Sequence, residues 1–286
     1  MTFAAGDTIA VIGGGTMGRG IALACLAHGF DVHLVDTTEP ALAAATEYVT
    51  ARVGDVRVEA DVGTGRCTGF TSIADAVQGA AAVIEAVPEI PDLKHDLFAE
   101  LVALADARTL LASNTSTLSV TDIAAAAGGC DRVVGMHFFN PADRMKLVEV
   151  ITAPTTSTET TERALDLTRR LGKTPIVVSD TPGFVTSRLG LLLGNEAMRI
   201  VEEGVATAED VDTAMRLGYR HPMGPLELAD LVGLDARLNN LISVSERTGR
   251  PELAPPRILV ELVEAGRLGR KSGAGFYDYD ADGNRR

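Results

Sequence analysis

Through roughly the first 180 residues, short β-branched and aliphatic runs alternate with longer segments whose apolar positions recur at helical spacing. The runs Thr8 to Ile12, Asp31 to Val35, Ala82 to Val87, Thr109 to Ala112 and Val133 to Phe138 predict strands, with two more at Met145 to Thr152 and Pro175 to Ser179. Between them, Thr16 to His28, closed by Gly29, Pro91 to Ala107, and about Ser157 to Leu171 predict helices. Such alternation predicts a parallel sheet flanked by helices. From Asp180 onward the pattern is helical, first Gly183 to Glu203 ending at Gly204, then Ala208 to Leu217 behind a Thr207 N-cap and ahead of Gly218. The expected architecture is therefore α/β over residues 1–182, then a smaller all-α domain over 183–286, with the turn Asp180-Thr181-Pro182-Gly183 as boundary and a cleft between the two.

Composition narrows what these domains can do. Of 286 residues, 46% are apolar and 23% charged, the balance of an ordinary globular protein. With 26 basic against 39 acidic residues the net charge is -13, which makes nucleic acid a poor partner. Cys25, Cys67 and Cys130 are odd in number and far apart, so they predict neither a disulfide framework nor a metal site, and they suit a reducing cytoplasm. No metal is expected, because no His/Cys/Asp cluster has ligand spacing. The chain starts without a basic stretch or cleavage site and contains no apolar run of about 18 residues, so neither export nor a membrane span is expected.

Directly after the first predicted strand, Gly13-Gly14-Gly15-Thr16-Met17-Gly18 fits G-x-G-x-x-G and opens a helix. Gly13 permits a tight turn, Gly15 lets backbone approach a pyrophosphate, and Gly18 lets the helix pack closely, while the first helical N–H groups attract the anion at Thr16 and Met17. Asp36 ends the next strand, 23 residues after Gly13, where its carboxylate can accept hydrogen bonds from ribose hydroxyls. The first domain thus reads as a Rossmann-type dinucleotide-binding domain. The same carboxylate would repel a 2′-phosphate, and Thr37 and Thr38 bring no compensating arginine, so NAD is expected rather than NADP.

Oxidation of an alcohol with a nicotinamide needs a group to take the hydroxyl proton, and histidine is matched to neutral pH. His28 and His33 lie beside the first helix and second strand, His95 on a polar helix, and His221 in a Pro/Gly-rich turn. His137 stands instead toward the C-terminal end of a strand, the edge where ligands bind in open α/β sheets. Twelve residues on, Glu149 falls on the next predicted strand, from which a carboxylate could orient the imidazole. Spacing alone favours a structural histidine in an aromatic strand and an unrelated glutamate.

Seven segments in order resemble the 3-hydroxyacyl-CoA dehydrogenases: Val11 to Gly18, Ala112-Ser113-Asn114-Thr115-Ser116, Gly135 to Pro141, Lys146 to Val150, Asp180 to Phe184, His221 to Leu228, and Gly269 to Tyr277. The resemblance spans nearly the whole chain. It implies a reversible, NAD-linked oxidation of an L-3-hydroxyacyl thioester to the 3-ketoacyl thioester, in a cleft between a Rossmann domain and a helical domain that usually pairs two subunits. It implies His137 as the acid/base, Glu149 as its partner, Ser116 bonding the reacting oxygen or the histidine, and Asn140 holding the substrate. Glu89 and Lys94 match positions near the cofactor ribose and nicotinamide, and Asn114 belongs to the same cofactor side. Without the resemblance, Glu89 reads as a helix-start carboxylate and Lys94 as a solvated lysine.

Two departures bear on the substrate. Ser187 stands where the family carries an asparagine, which shortens the side chain and removes a donor. The stretch from Thr37 to Thr71 is short and lacks the lysine that the family uses for coenzyme A, leaving Arg52, Arg57 and Arg66 as candidate phosphate partners or a solvated face. Both departures would suit a related reaction on a short hydroxyacyl group, such as a glyceryl thioester, tethered to an acyl carrier protein in polyketide extender-unit assembly. Carrier proteins are acidic, so docking would need a basic patch around Arg188, Arg199, Arg285 or Arg286. A third reading is a non-catalytic nucleotide-binding or structural relative.

Overall fold

The structure, a computed structural model, describes residues 2–56 and 63–286, so Arg57 lies outside the described residues. It divides into two compact units, Met1–Thr181 and Pro182–Arg286. In the first, eight strands form one sheet: β1 (Thr8–Ile12), β2 (Asp31–Val35), β3 (Cys67–Phe70), β4 (Ala82–Glu85), β5 (Leu110–Ser113), β6 (Val133–Phe138), β7 (Leu147–Thr152) and β8 (Thr174–Ser179). The helices interleaved with them are α1 (Thr16–Ala27), α2 (Glu39–Arg52), α3 (Ile73–Ala76), α4 (Pro91–Leu104), α5 (Val120–Ala126) and α6 (Thr158–Arg170).

The strand order is β3-β2-β1-β4-β5-β6-β7-β8. Reversal of strand order between β1 and β4 leaves a crevice at their C-terminal ends, the place where open α/β sheets bind ligands. Strands β1, β4 and β5 are buried on both faces, as β-branched and aliphatic side chains covered by helices on either side should be. Each such side chain removed from water contributes about 1.5–3 kcal/mol.

The sheet is not wholly parallel. β6 and β7 pair antiparallel, and β8 runs parallel to β7. Only residues 139–146 connect β6 to β7, and a parallel return needs a crossover of about a dozen residues or more. The antiparallel register sets His137 directly opposite Glu149.

Two elements carry too weak a pattern to be read in advance. α2 is alanine-rich and contrasts little around its circumference, burying only Leu42, Ala45 and Val49. β3 is a four-residue edge strand that includes Gly69.

The second unit contains α7 (Thr186–Glu202), α8 (Ala208–Gly218), α9 (Pro225–Val232), α10 (Leu234–Thr248) and α11 (Arg257–Glu264) around a core that includes Leu191, Met198, Leu226, Leu234, Leu241 and Leu259. α7 starts three residues later than Gly183, because Gly183 and Phe184 have φ of 78° and 48°, outside the right-handed helical region. Gly218 ends α8 from within and Tyr219 caps it. The C-terminal tail is fastened by Asp230, which accepts hydrogen bonds from the N–H groups of Phe276 and Tyr277 and from the Tyr279 hydroxyl. Among the described residues no helix is long and apolar enough to cross a membrane.

Candidate active site

The β1–α1 turn is built by close approach of backbone. Gly13 has φ of 105°, and a Cβ there would lie 2.8 Å from the Ala86 carbonyl oxygen. A Cβ on Gly18 would lie 1.7 Å from the Gly13 oxygen, so only glycine lets α1 begin beneath the turn. At Gly15 the space is open: a Cβ would meet nothing within 4 Å. Helices α2, α5 and α6 each begin with a Ser or Thr side chain accepting a backbone N–H, but α1 begins at Gly15 with no side-chain cap and no acidic residue in its first turn. The N–H groups at Thr16 and Met17 therefore face an uncapped, open approach, which is what a pyrophosphate needs.

Asp36 follows β2 on the same edge of the sheet. Its Oδ2 accepts from the Gly14 N–H at 2.9 Å and its Oδ1 from the Thr37 N–H at 2.7 Å, so the carboxylate is fixed beside the glycine turn. This open glycine turn, uncapped helix start and aimed carboxylate fit the diphosphate and ribose of NAD.

A second cluster lies at the ends of β4 and β5. The Lys94 ammonium, on α4, bonds Glu85 Oε1 at 2.7 Å and Glu89 Oε2 at 3.0 Å. Lys94 is 1% exposed, so it is no solvated lysine. Glu85 also accepts from the Ser113 hydroxyl at 2.6 Å and the Val87 N–H at 2.7 Å, which offsets the cost of burying a carboxylate. Burial nonetheless pushes the Glu85 carboxyl above its usual range, against the opposing pull of Lys94. At Glu89, burial works against the charge, but Lys94 and hydrogen bonds from Thr115 and Thr117 outweigh it and hold this carboxyl below its usual range.

Glu89 Oε1 gathers the Thr115 hydroxyl at 2.6 Å, the Ser116 N–H at 2.8 Å and the Thr117 N–H at 3.0 Å. The sequence suggested Glu89 and Lys94 as cofactor-side residues. In the structure they also frame the backbone that presents Ser116. Glu85 and Ser113 were not anticipated: a glutamate ending an apolar strand and a serine opening a loop carry no sequence signal that they meet.

The third cluster is the β6–β7 pair. His137 Nδ1 lies 2.7 Å from Glu149 Oε2, with the ring 8% exposed and the carboxylate fully buried. An ionised carboxylate only accepts, so in this pairing Nδ1 carries the hydrogen and a neutral ring keeps Nε2 as its basic atom. Asn114 Oδ1 accepts from the Phe138 N–H at 2.9 Å, tying the segment after β5 to the residue beside His137. Ser113 pairs with Gly135 in adjacent strands, so Ser116 and His137 both follow that pair toward the same edge of the sheet. Asn140 is exposed in the connection after β6, and Ser187 lies in the first turn of α7, within the second unit. The other two histidines near the sheet are engaged elsewhere: His28 Nδ1 meets the Ala24 carbonyl at 2.8 Å and His33 Nδ1 that of Ala76 at 2.7 Å.

A cavity of about 710 Å³ has Tyr48, Arg52, Asp55, Pro141, Asp143, Arg144 and Lys146 in its lining, with Arg144 3.6 Å from Asp143. The Arg52 and Arg19 guanidiniums lie 4.1 and 4.4 Å from the centre of the Tyr48 ring, while Arg66 is paired with Asp31 at 3.1 Å. No group of three or more His, Cys, Asp or Glu among the described residues is placed to hold a metal.

A glycine turn with its aimed carboxylate on one strand edge and a buried His–Glu pair farther along the same edge are the arrangement expected of a nicotinamide-linked dehydrogenase. Residues 8–181 match the NAD binding domain of 3-hydroxyacyl-CoA dehydrogenase and residues 183–279 its C-terminal domain, so the chain belongs to the 3-hydroxyacyl-CoA dehydrogenase family. It is 39% identical over 280 residues to 3-hydroxybutyryl-CoA dehydrogenase of Clostridioides difficile, covering 95% of this chain and 99% of that protein. To the mitochondrial hydroxyacyl-coenzyme A dehydrogenase of Homo sapiens it is 41% identical over 286 residues, covering 95% and 90%. Among solved structures, (S)-3-hydroxybutyryl-CoA dehydrogenase from Ralstonia eutropha matches with a TM-score of 0.90 at 38% identity, covering 96% of this chain and 99% of that one.

Proposed function

We propose that this protein oxidises a short L-3-hydroxyacyl thioester of coenzyme A to the 3-ketoacyl thioester with NAD, reversibly. The observation that carries the reading is the buried 2.7 Å contact between His137 and Glu149 at the ligand-binding edge of a dinucleotide fold. In the oxidising direction His137 Nε2 takes the hydroxyl proton while Glu149 stabilises the resulting imidazolium. Gly13, Gly15, Thr16, Met17, Gly18 and Asp36 would hold NAD, which when bound would accept the hydride from the same carbon. The Ser116 hydroxyl donates to the reacting oxygen, its backbone held by Glu89. Lys94 and Asn114 hold the cofactor-side loop, while Asn140 and Ser187 meet the substrate. In reverse, His137 returns the proton.

The names of the relatives favour coenzyme A as the carrier, and the cavity lined by Arg52, Arg144 and Lys146, alongside Asp55 and Asp143, keeps an excess of one cation for its phosphates where the family lysine is missing. Ser187 keeps the carrier-protein alternative open as a second reading. Against it, two of the cations expected of a docking patch are already committed: Arg199 to the carbonyls of Glu252 and Ala254, and Arg285 to Glu209 and the Tyr277 ring. The exposed apolar face of the second unit supports a homodimer, and three free cysteines suit the cytoplasm.

The test follows NADH absorbance with acetoacetyl-CoA and, separately, with short ketoacyl and hydroxyacyl groups on a carrier protein. Turnover of the coenzyme A thioester is expected. Turnover on the carrier-bound substrate alone would transfer the assignment to the second reading, and NADH binding without turnover on any thioester would make the chain a non-catalytic relative.

A further inference from the structure

Lys173 sits between α6 and β8, on no strand or helix that carries the proposed chemistry, and is 6% exposed. Its ammonium donates to the carbonyl oxygens of Ala142 at 2.6 Å and Met145 at 2.7 Å. Both belong to the connection 139–146, whose turn is closed by the N–H groups of Arg144 and Met145 bonding the Pro141 oxygen at 3.0 and 2.9 Å. The connection leaves the strand of His137, carries Asn140, and returns as the strand of Glu149. It also packs on α1: a Cβ at Gly20 would lie 3.0 Å from the Ala142 Cβ. Ala142 is thus both bonded by the Lys173 ammonium and packed against α1.

A cation is an expensive way to fill this space. Burial, then Lys146, lower the Lys173 amine to about 8, with Cys25 and Asp143 opposing from α1 and the connection, and His28 nearby on α1. Among the described residues no carboxylate pairs with the Lys173 ammonium within 4.0 Å, and the two carbonyls it holds offset the charge.

We propose that Lys173 is a positioning residue: by bonding the Ala142 and Met145 carbonyls it fixes the 139–146 connection, and through it Asn140, so that the thioester end of the substrate meets a preset surface. The substrate part rests on the function proposed above. The effect belongs to substrate affinity rather than to the chemical step, because Nζ touches neither His137 nor Glu149 directly.

The experiment compares wild type, Lys173→Met and Lys173→Arg by hydrogen exchange over residues 139–146 and by steady-state kinetics with acetoacetyl-CoA and NADH. In Lys173→Met the amides of Arg144 and Met145 should exchange about 10-fold faster. KM for the thioester should rise about 10-fold, with kcat and the NADH Kd within about 2-fold of wild type. Lys173→Arg should recover most of both effects. Unchanged exchange, or a fall in kcat at unchanged KM, would overturn the proposal. If wild type turns over no thioester, the functional reading fails by itself, while the exchange data still decide whether Lys173 fixes the connection. Should Lys173→Met not accumulate folded, Lys173→Gln, which retains a donor, carries the same comparison.

Discussion

In the proposed mechanism Glu149 acts on His137 through its charge as well as its position, because a fully buried carboxylate 2.7 Å from the ring stabilises the imidazolium formed when His137 takes the substrate proton. Glu149→Gln keeps the shape and one oxygen but removes that charge. It should lower kcat by a factor on the order of 10²–10⁴ and leave the NADH Kd unchanged. Kinetics within a few-fold of wild type would show that Glu149 only fills space. At Glu89 the charge matters for stability too. Its carboxyl titrates below the ordinary value of 4.5, so its contribution is complete above that value and disappears as the pH falls through the folded one. Urea midpoints of wild type and Glu89→Gln should therefore differ at neutral pH and converge in acid; a gap that persists in acid would contradict this. Asp36 was legible because the glycine turn places it by counting, whereas His137 and Glu149 were singled out by the family resemblance, since spacing alone did not pair them and only the antiparallel register does. The burial of Lys94 was not legible, because a lysine in the first turn of a polar helix reads as solvated until Glu85 and Glu89 are seen on either side of it.

The β1–α1 element separates the two uses of glycine. Gly18 is needed by the fold, since a methyl there would run into the Gly13 oxygen, whereas Gly15 has φ of -68° and empty space where its Cβ would be. Gly15→Ala should leave the melting temperature within about 2 °C of wild type, because the new methyl meets no protein atom. It should raise the NADH Kd by about 10-fold or more, because the methyl stands where the pyrophosphate must approach the helix N–H groups. Gly18→Ala should fail in both respects. Calorimetry and fluorescence titration distinguish the outcomes, and unchanged NADH affinity in Gly15→Ala would move the cofactor away from this turn. At this scale the hydrophobic pattern located most strands, yet it carries no strand direction. The reversal at β7 follows from the length of the 139–146 connection, and that reversal is what converts a spacing of twelve residues into a direct pair. α2 escaped notice because alanine supplies helix propensity without an apolar stripe.

For the molecule as a whole, the distribution of exposed apolar surface is uneven. Large exposed apolar side chains among the described residues fall mostly in the second unit, including Leu217, Tyr219, Leu231 and Val232. From the residue that precedes α7 into the helix, Val185, Leu189 and Leu193 recur every four residues, while Leu191, Ala197 and Met198 turn to the core. A helix apolar on both sides is a helix expected to be covered on both. The first unit supplies no comparable stripe, and a net charge of -13 spread over the chain opposes association unless apolar burial outweighs it. A homodimer built on the second unit would do so, provided its interface reaches about 1,000 Å². Wild type should sediment at twice its chain mass of 30.0 kDa, with little response to salt because the contact is apolar. Leu189→Glu with Leu193→Glu places like charges on that face and should shift the protein to the monomer, while NADH affinity stays unchanged, because the proposed cofactor residues, from Gly13 to Asn114, belong to the first unit. A wild-type monomer, or a dimer that survives both glutamates, would remove this face from the assembly.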